Sequence, residues 1–104
     1  MVLSRISIWR FKKGKREDAF SELDRILNTS TRHTPGFRGY ISMLSHDDAN
    51  GATILTLWQD EESLRESEKG VFTNAINKVK ESLESAPLTE SFRVFSTELF
   101  QRSE

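Results

Sequence analysis

Few residues in this 104-residue chain have types and spacings suited to chemistry. The only histidines, His33 and His46, fall on different loops, and neither has a second histidine or a carboxylate at metal-ligand spacing on one helix. His46-Asp47-Asp48 puts three ligand types in a row, but Ala49-Asn50-Gly51 completes a polar hairpin loop, the commoner use of such residues. There is no cysteine, which excludes disulfides, thiolate catalysis and cysteine metal sites. The five glycines form no phosphate loop, and no serine sits in a nucleophile elbow. Two tryptophans remain, Trp9 and Trp58, each a large aromatic surface with an indole N–H that needs a partner.

Four strand-like runs position these residues: Leu3 to Phe11, Phe37 to Ser45, Ala52 to Gln59 and Glu90 to Leu99. Side chains alternate along a strand, so Ile6 and Ile8 oppose Leu3, Trp9 and Phe11. Likewise Ile54 and Trp58 oppose Leu55 and Leu57, and Phe92 and Val94 oppose Phe95 and Leu99. A sheet apolar on both faces needs cover on both. The chain carries helices for one. The first opens after Lys12-Lys13-Gly14-Lys15 and runs to about Thr29, with Ala19, Phe20, Leu23, Ile26 and Leu27 as its apolar stripe. The second begins at Asp60, a residue suited to cap it, with Glu61 and Glu62 at the positive end of the helix dipole. It breaks near Gly70 and continues through Phe72, Ala75, Ile76, Val79 and Leu83 before Pro87 stops it. Thr34-Pro35-Gly36 and Asn50-Gly51 are turn signals, the latter expected to supply positive φ angles. The order is βαββαβ, an α+β, ferredoxin-like antiparallel sheet expected to span residues 1–104 as one domain. A second copy of the chain is the expected cover for the open face, making a homodimer.

The formal net charge of -1 offers no general pull toward nucleic acid or an anionic membrane. Arg5, Arg10, Lys12, Lys13, Lys15 and Arg16 form a basic block, expected to be a solvated strand end and turn. An RNA-recognition domain shares the same element order, but it has aromatics in its first and third strands and a basic-Gly-aromatic run in the third. Ala52-Thr-Ile-Leu-Thr-Leu-Trp58-Gln lacks that run, so nucleic acid is not an expected partner. No apolar run reaches the length of a membrane span, and the first residues lead into a strand without a signal-peptide core. No membrane partner is expected, and the cytoplasm is the expected location.

Pro35-Gly36-Phe37-Arg38-Gly39-Tyr40, followed by Ile54-Leu55-Thr56-Leu57-Trp58-Gln59-Asp60-Glu61-Glu62-Ser63-Leu64, resembles the antibiotic biosynthesis monooxygenase domain. The resemblance extends from Ser4 to Leu99 and implies a dimeric α+β barrel. It also implies oxidation of a small aromatic, anthrone or quinol-type molecule with no metal or flavin cofactor. The haem-degrading branch relies on an Asn, a Trp and a His, which correspond here to Ser7, about Ser67 and Ile76, so haem cleavage is not expected. The polyketide-oxidising branch places a Trp at the end of the third strand, matched by Trp58, with an Asn four residues before and a Tyr six after. Ile54 and Leu64 stand at those two positions, which leaves a non-catalytic ligand-binding or stress-related barrel as the alternative. The implied pocket lies between sheet and helices, with Trp58 and Trp9 as aromatic walls and Ser7, Tyr40, Phe72 and Asn74 nearby. Arg38, on the same strand face as Tyr40, is the candidate for an anionic group, against the plainer use as a solvated edge residue. No catalytic residue is identified.

Overall fold

The computed structural model describes residues 1–98. Four strands, β1 (Leu3–Arg10), β2 (Phe37–Leu44), β3 (Gly51–Trp58) and β4 (Leu88–Arg93), form one antiparallel sheet in the order β2-β3-β1-β4. Three helices join them: α1 (Arg16–Asn28), then α2 (Glu61–Lys69) and α3 (Val71–Val79), which meet at Gly70. This is the βαββαβ, ferredoxin-like arrangement that the hydrophobic pattern implies. The first crossover delivers β2 to one edge, and the hairpin brings β3 back beside β1. The second crossover places β4 on the other side of β1, so β1 and β3 occupy the centre and β2 and β4 the edges.

Strand alternation decides what each face carries. The register pairs Arg5 with Thr56, Ser7 with Ile54 and Trp9 with Ala52, and these residues turn toward the helices. The stripe of α1 (Ala19, Phe20, Leu23, Ile26 and Leu27) packs there, together with Ala75 and Val79 of α3. Trp9 stacks on Phe11 at 6.4 Å, and Phe72 meets Trp9 edge-on at 6.0 Å. The opposite face carries Ile6, Ile8, Ile41, Met43, Leu55, Leu57, Leu88 and Phe92, and among the described residues no helix covers it. Ile8 is 49% exposed and Leu88 71%, values far from those of a core.

Asp60 caps α2 by accepting a hydrogen bond from the Ser63 N–H at 2.8 Å. Gly36 sits close by with φ +83°, and a Cβ there would run into the Ser63 side chain. Its carbonyl accepts the Gln59 N–H at 2.7 Å, fastening the entry of β2 to the exit of β3. Only glycine fits both the angle and the space.

Several boundaries differ from expectation. The fourth strand begins two residues early, at Leu88, and ends at Arg93, because pairing with β1 stops at Leu3. Phe95 is therefore fully exposed beyond the strand, and Leu99 lies outside the described residues. Asn50 and Gly51 do not adopt positive φ. Asp48 organises that turn instead, with Oδ1 accepting the Asn50 N–H and its carbonyl accepting the Gly51 N–H. Leu83 lies past the end of α3, after a 3-10 turn at Lys80–Ser82, and bridges to Phe11.

The basic block is not uniformly solvated either. Arg16 is tucked under the hairpin tip, where its Nη1 donates to the carbonyls of Ser45, Asp48 and Gly51 at 3.3, 2.9 and 3.2 Å. Arg5 is buried outright.

Candidate functional site

The space between sheet and helices closes around a cavity of about 40 Å³. Trp9, Trp58, Phe72, Leu23, Ile26, Leu27, Ile54, Val71 and Ala75 provide its apolar walls. Arg5, Ser7, Thr31, Thr56 and Ser67 provide the polar ones. The strand residues reach it by alternation: positions 5, 7 and 9 of β1 face the same way as 54, 56 and 58 of β3. Val71, Phe72 and Ala75 reach it because α3 restarts immediately after Gly70 and lays its first turn across the sheet.

Most of the polar groups are matched internally. The Trp9 indole N–H donates to Ser7 Oγ at 2.8 Å, and that hydroxyl donates to the Ile54 carbonyl at 3.4 Å. The Trp58 indole donates to Thr56 Oγ1 at 2.9 Å. Both tryptophans are almost fully buried, so each indole N–H is satisfied before any ligand arrives. Phe37, of β2, packs against Trp58 with ring centroids 5.1 Å apart and closes the strand end. Thr31 differs: it is 1% exposed and its Oγ1 has no hydrogen-bond partner.

Arg5 is the one charged group in the lining. Its Nη1 donates to Ser67 Oγ at 3.0 Å, while Nη2 donates to the Leu64 carbonyl at 3.0 Å and to Glu68 Oε1 at 2.7 Å. The guanidinium lies 5.1 Å from the Phe72 ring centroid. Burial pushes its pKa below the ordinary arginine value, partly offset by the Glu68 carboxylate, and an arginine remains charged regardless.

The seven residues singled out from the sequence separate into two groups. Trp9, Trp58, Ser7 and Phe72 line the cavity together. Tyr40, Arg38 and Asn74 do not. A bulge between Phe37 and Gly39 turns Tyr40 toward Phe37, with which it stacks at 6.3 Å, in a shallow surface groove that Arg38 and Arg32 also line. Burial, then the nearby Asp24 carboxylate, raises the Tyr40 pKa. Arg38 is exposed and donates to Gln59 Oε1 at 3.1 Å, so it fits the description of a solvated edge residue. Asn74 is exposed on the outer side of α3.

Four polar lining residues escaped the sequence reading: Arg5, Thr31, Thr56 and Ser67. Arg5 shares strand parity with Ser7 and Trp9, but the basic residues from Arg10 to Arg16 group it with a surface block. Ser67 follows Leu64 by three residues on α2, on the same buried side. Thr31 belongs to a 3-10 turn after α1 and leaves no periodic signal. Among the described residues no cluster of three or more His, Asp or Glu side chains could hold a metal ion, and no helix is long and apolar enough to cross a membrane.

The family model described as antibiotic biosynthesis monooxygenase matches residues 1–71. Among solved structures, the chain is similar to a protein from Mycobacterium tuberculosis at 17% identity, with 93% of this chain and 98% of that one covered and a TM-score of 0.76. It is similar to a variant of SnoaB, a cofactor-independent oxygenase from Streptomyces nogalater, at 13% identity, with 92% and 95% covered and a TM-score of 0.76. A Shewanella oneidensis protein shows 22% identity, 88% coverage of both chains and a TM-score of 0.75. At these identities the likeness concerns the fold. No curated protein matches the chain by sequence.

Proposed function

This chain belongs to the antibiotic biosynthesis monooxygenase family, and we propose that it is a homodimeric oxygenase for an aromatic, anthrone or quinol-type small molecule. The observation that carries this reading is where the matched residues lie. All of the cavity lining except Phe72 and Ala75 falls within residues 1–71, so the part of the chain that defines the family is also the part that builds the site. The substrate anion would pass an electron to dioxygen directly. Recombination at carbon and loss of water then convert an anthrone methylene to a carbonyl, with one oxygen atom retained and the other leaving as water. The protein's share is to exclude water, hold the ring against Trp9 and Trp58, and stabilise the anion.

The reading as a homodimer is supported by the open sheet face, whose aliphatic residues no helix among the described residues covers. Two such faces packed together would make the α+β barrel, and an obligate interface of this kind buries about 2,000 Å² or more.

A second reading, a ligand-binding barrel without catalysis, is favoured by Ile54 and Leu64, which stand where the polyketide-oxidising branch has polar residues able to hold a phenolic substrate. The cavity of about 40 Å³ is far below the roughly 300 Å³ at which small-molecule sites begin, so either reading requires it to enlarge around a ligand. Oxygen consumption decides between the two. The oxygenase should consume oxygen with anthrones or quinols faster than buffer does, and Trp58→Ala should slow it. Tyr40→Phe, outside the cavity, should leave the rate unchanged. Uptake equal to the buffer blank across a panel of such substrates would leave the binding barrel as the better account.

A further inference from the structure

Arg5 is 4% exposed, yet the carboxylate paired with it is not buried: the Glu68 side chain is 51% exposed. Burying a guanidinium is costly unless its donors are matched, and it is an unusual choice for the middle of a strand. Arginine has five N–H donors. Three hydrogen bonds hold the two terminal nitrogens to Ser67, Leu64 and Glu68, all on α2. Nε makes no hydrogen bond to protein among the described residues. The same cavity contains one buried polar atom with no hydrogen-bond partner, Thr31 Oγ1. The remaining polar lining is already engaged. An otherwise aromatic and aliphatic cavity thus has one cationic donor and one hydroxyl to offer.

Resting on the reading of this cavity as the ligand site, we infer that Arg5 recognises an oxyanion. The ligand class is an aromatic molecule carrying a deprotonated phenol, enol or carboxylate, with Thr31 available to a second oxygen. Arg5 is the only cation in the lining, and charge-assisted hydrogen bonds in a dry site are the strong ones.

The volume sets a condition on this. An aromatic ring system does not fit in about 40 Å³, so the wall formed by α2 and α3 must move away from the sheet. Gly70 separates α2 from α3 in that wall, and α2 is the element to which Arg5 is bonded. Opening therefore releases Arg5 from Ser67 and Glu68. Glu68, at the surface, passes into water, and the ligand's anion takes its place.

Trp9 and Trp58 are the chain's only tryptophans and both line the cavity, so quenching of their fluorescence reports binding there. The probes are hydroxynaphthoate and its neutral isostere hydroxynaphthamide. The native protein should bind the naphthoate about tenfold more tightly or better, the scale of one charge-assisted hydrogen bond. Arg5→Met should bring the two affinities together. Glu68→Gln should raise affinity for the naphthoate and leave the naphthamide unchanged, which a purely structural arginine does not predict. Equal binding of both probes by the native protein, or discrimination that survives Arg5→Met, would overturn the role of Arg5 and leave the cavity reading standing. Failure of both probes to bind would overturn the two together. Where Arg5→Met does not fold, Glu68→Gln decides, and an unchanged naphthoate affinity counts against Arg5.

Discussion

The two faces of the sheet are both apolar, but they are built differently. The helix-covered face mixes aromatic rings with buried polar groups, namely Arg5, Ser7, Ser67 and the Thr31 hydroxyl, around a cavity. The open face is aliphatic across its centre, with Ile6, Ile41, Leu55 and Leu57, and carries neither a buried charge nor a side-chain hydrogen bond between them. Apolar area alone therefore does not distinguish a binding layer from an assembly surface. The polar groups do. A buried arginine is costly and has to be matched by partners, whereas an aliphatic face needs only to be covered.

The largest effect should come from placing a charge on the open face. Leu55→Asp sits at its centre, opposite Ile6 on one side and Ile41 on the other. Sedimentation should then show a 12.0 kDa species in place of a dimer, and the concentration dependence of the native melting temperature should vanish. A native protein that sediments as a folded monomer would remove the assembly half of the comparison.

On the covered face, Trp9→Ala removes a ring packed between Phe11 and Phe72 and should cost about 3–5 kcal/mol in denaturant unfolding. That loss should add to the effect of Leu55→Asp, since the two residues lie on opposite faces. Trp58→Phe is milder. It keeps most of the ring and gives up the hydrogen bond to Thr56, worth about 1 kcal/mol. Ligand affinity or oxygen uptake should change more than the melt does, and the reverse would make Trp58 a packing residue only.

The smallest effect is electrostatic. Hydrogen bonds from the Ser63 backbone hold the Asp60 carboxyl below its ordinary range. Its folded-state pKa is depressed, so its stabilisation is present above the ordinary carboxylate pKa and is lost as pH falls through the folded value. Asp60→Asn should flatten that acid limb in pH-dependent melts while leaving neutral stability nearly unchanged, because asparagine also caps helices. An acid limb as steep as the native one would locate it in other carboxylates.

Periodicity was enough to reveal the layout. The α1 stripe, the break at Gly70 and the two-faced strands could all be read from residue spacing, because burial imposes a period of two or 3.6. The site was legible only where it lay on that period, as Trp9, Trp58 and Ser7 do. The bulge at Arg38 is a local departure from strand pairing that no spacing rule announces. It sets Tyr40 opposite Thr56 on the helix-covered face, but on the edge strand β2, where Tyr40 lines a surface groove outside the cavity. Arg5 was obscured for a different reason: in sequence it heads a basic block whose other members are mostly exposed, while its neighbours in space are on α2.

The Arg16 guanidinium beneath the β2–β3 hairpin has a practical consequence for anyone wishing to graft a peptide onto this scaffold. Hairpin tips usually accept insertions because little holds them. This one has three carbonyls bound by a single side chain from the first residue of α1, so lengthening it would loosen the start of that helix as well. The turn between β1 and α1, at Lys13 and Gly14, is exposed on both residues and lies between two elements that are already fixed, which makes it the better place to splice in foreign sequence.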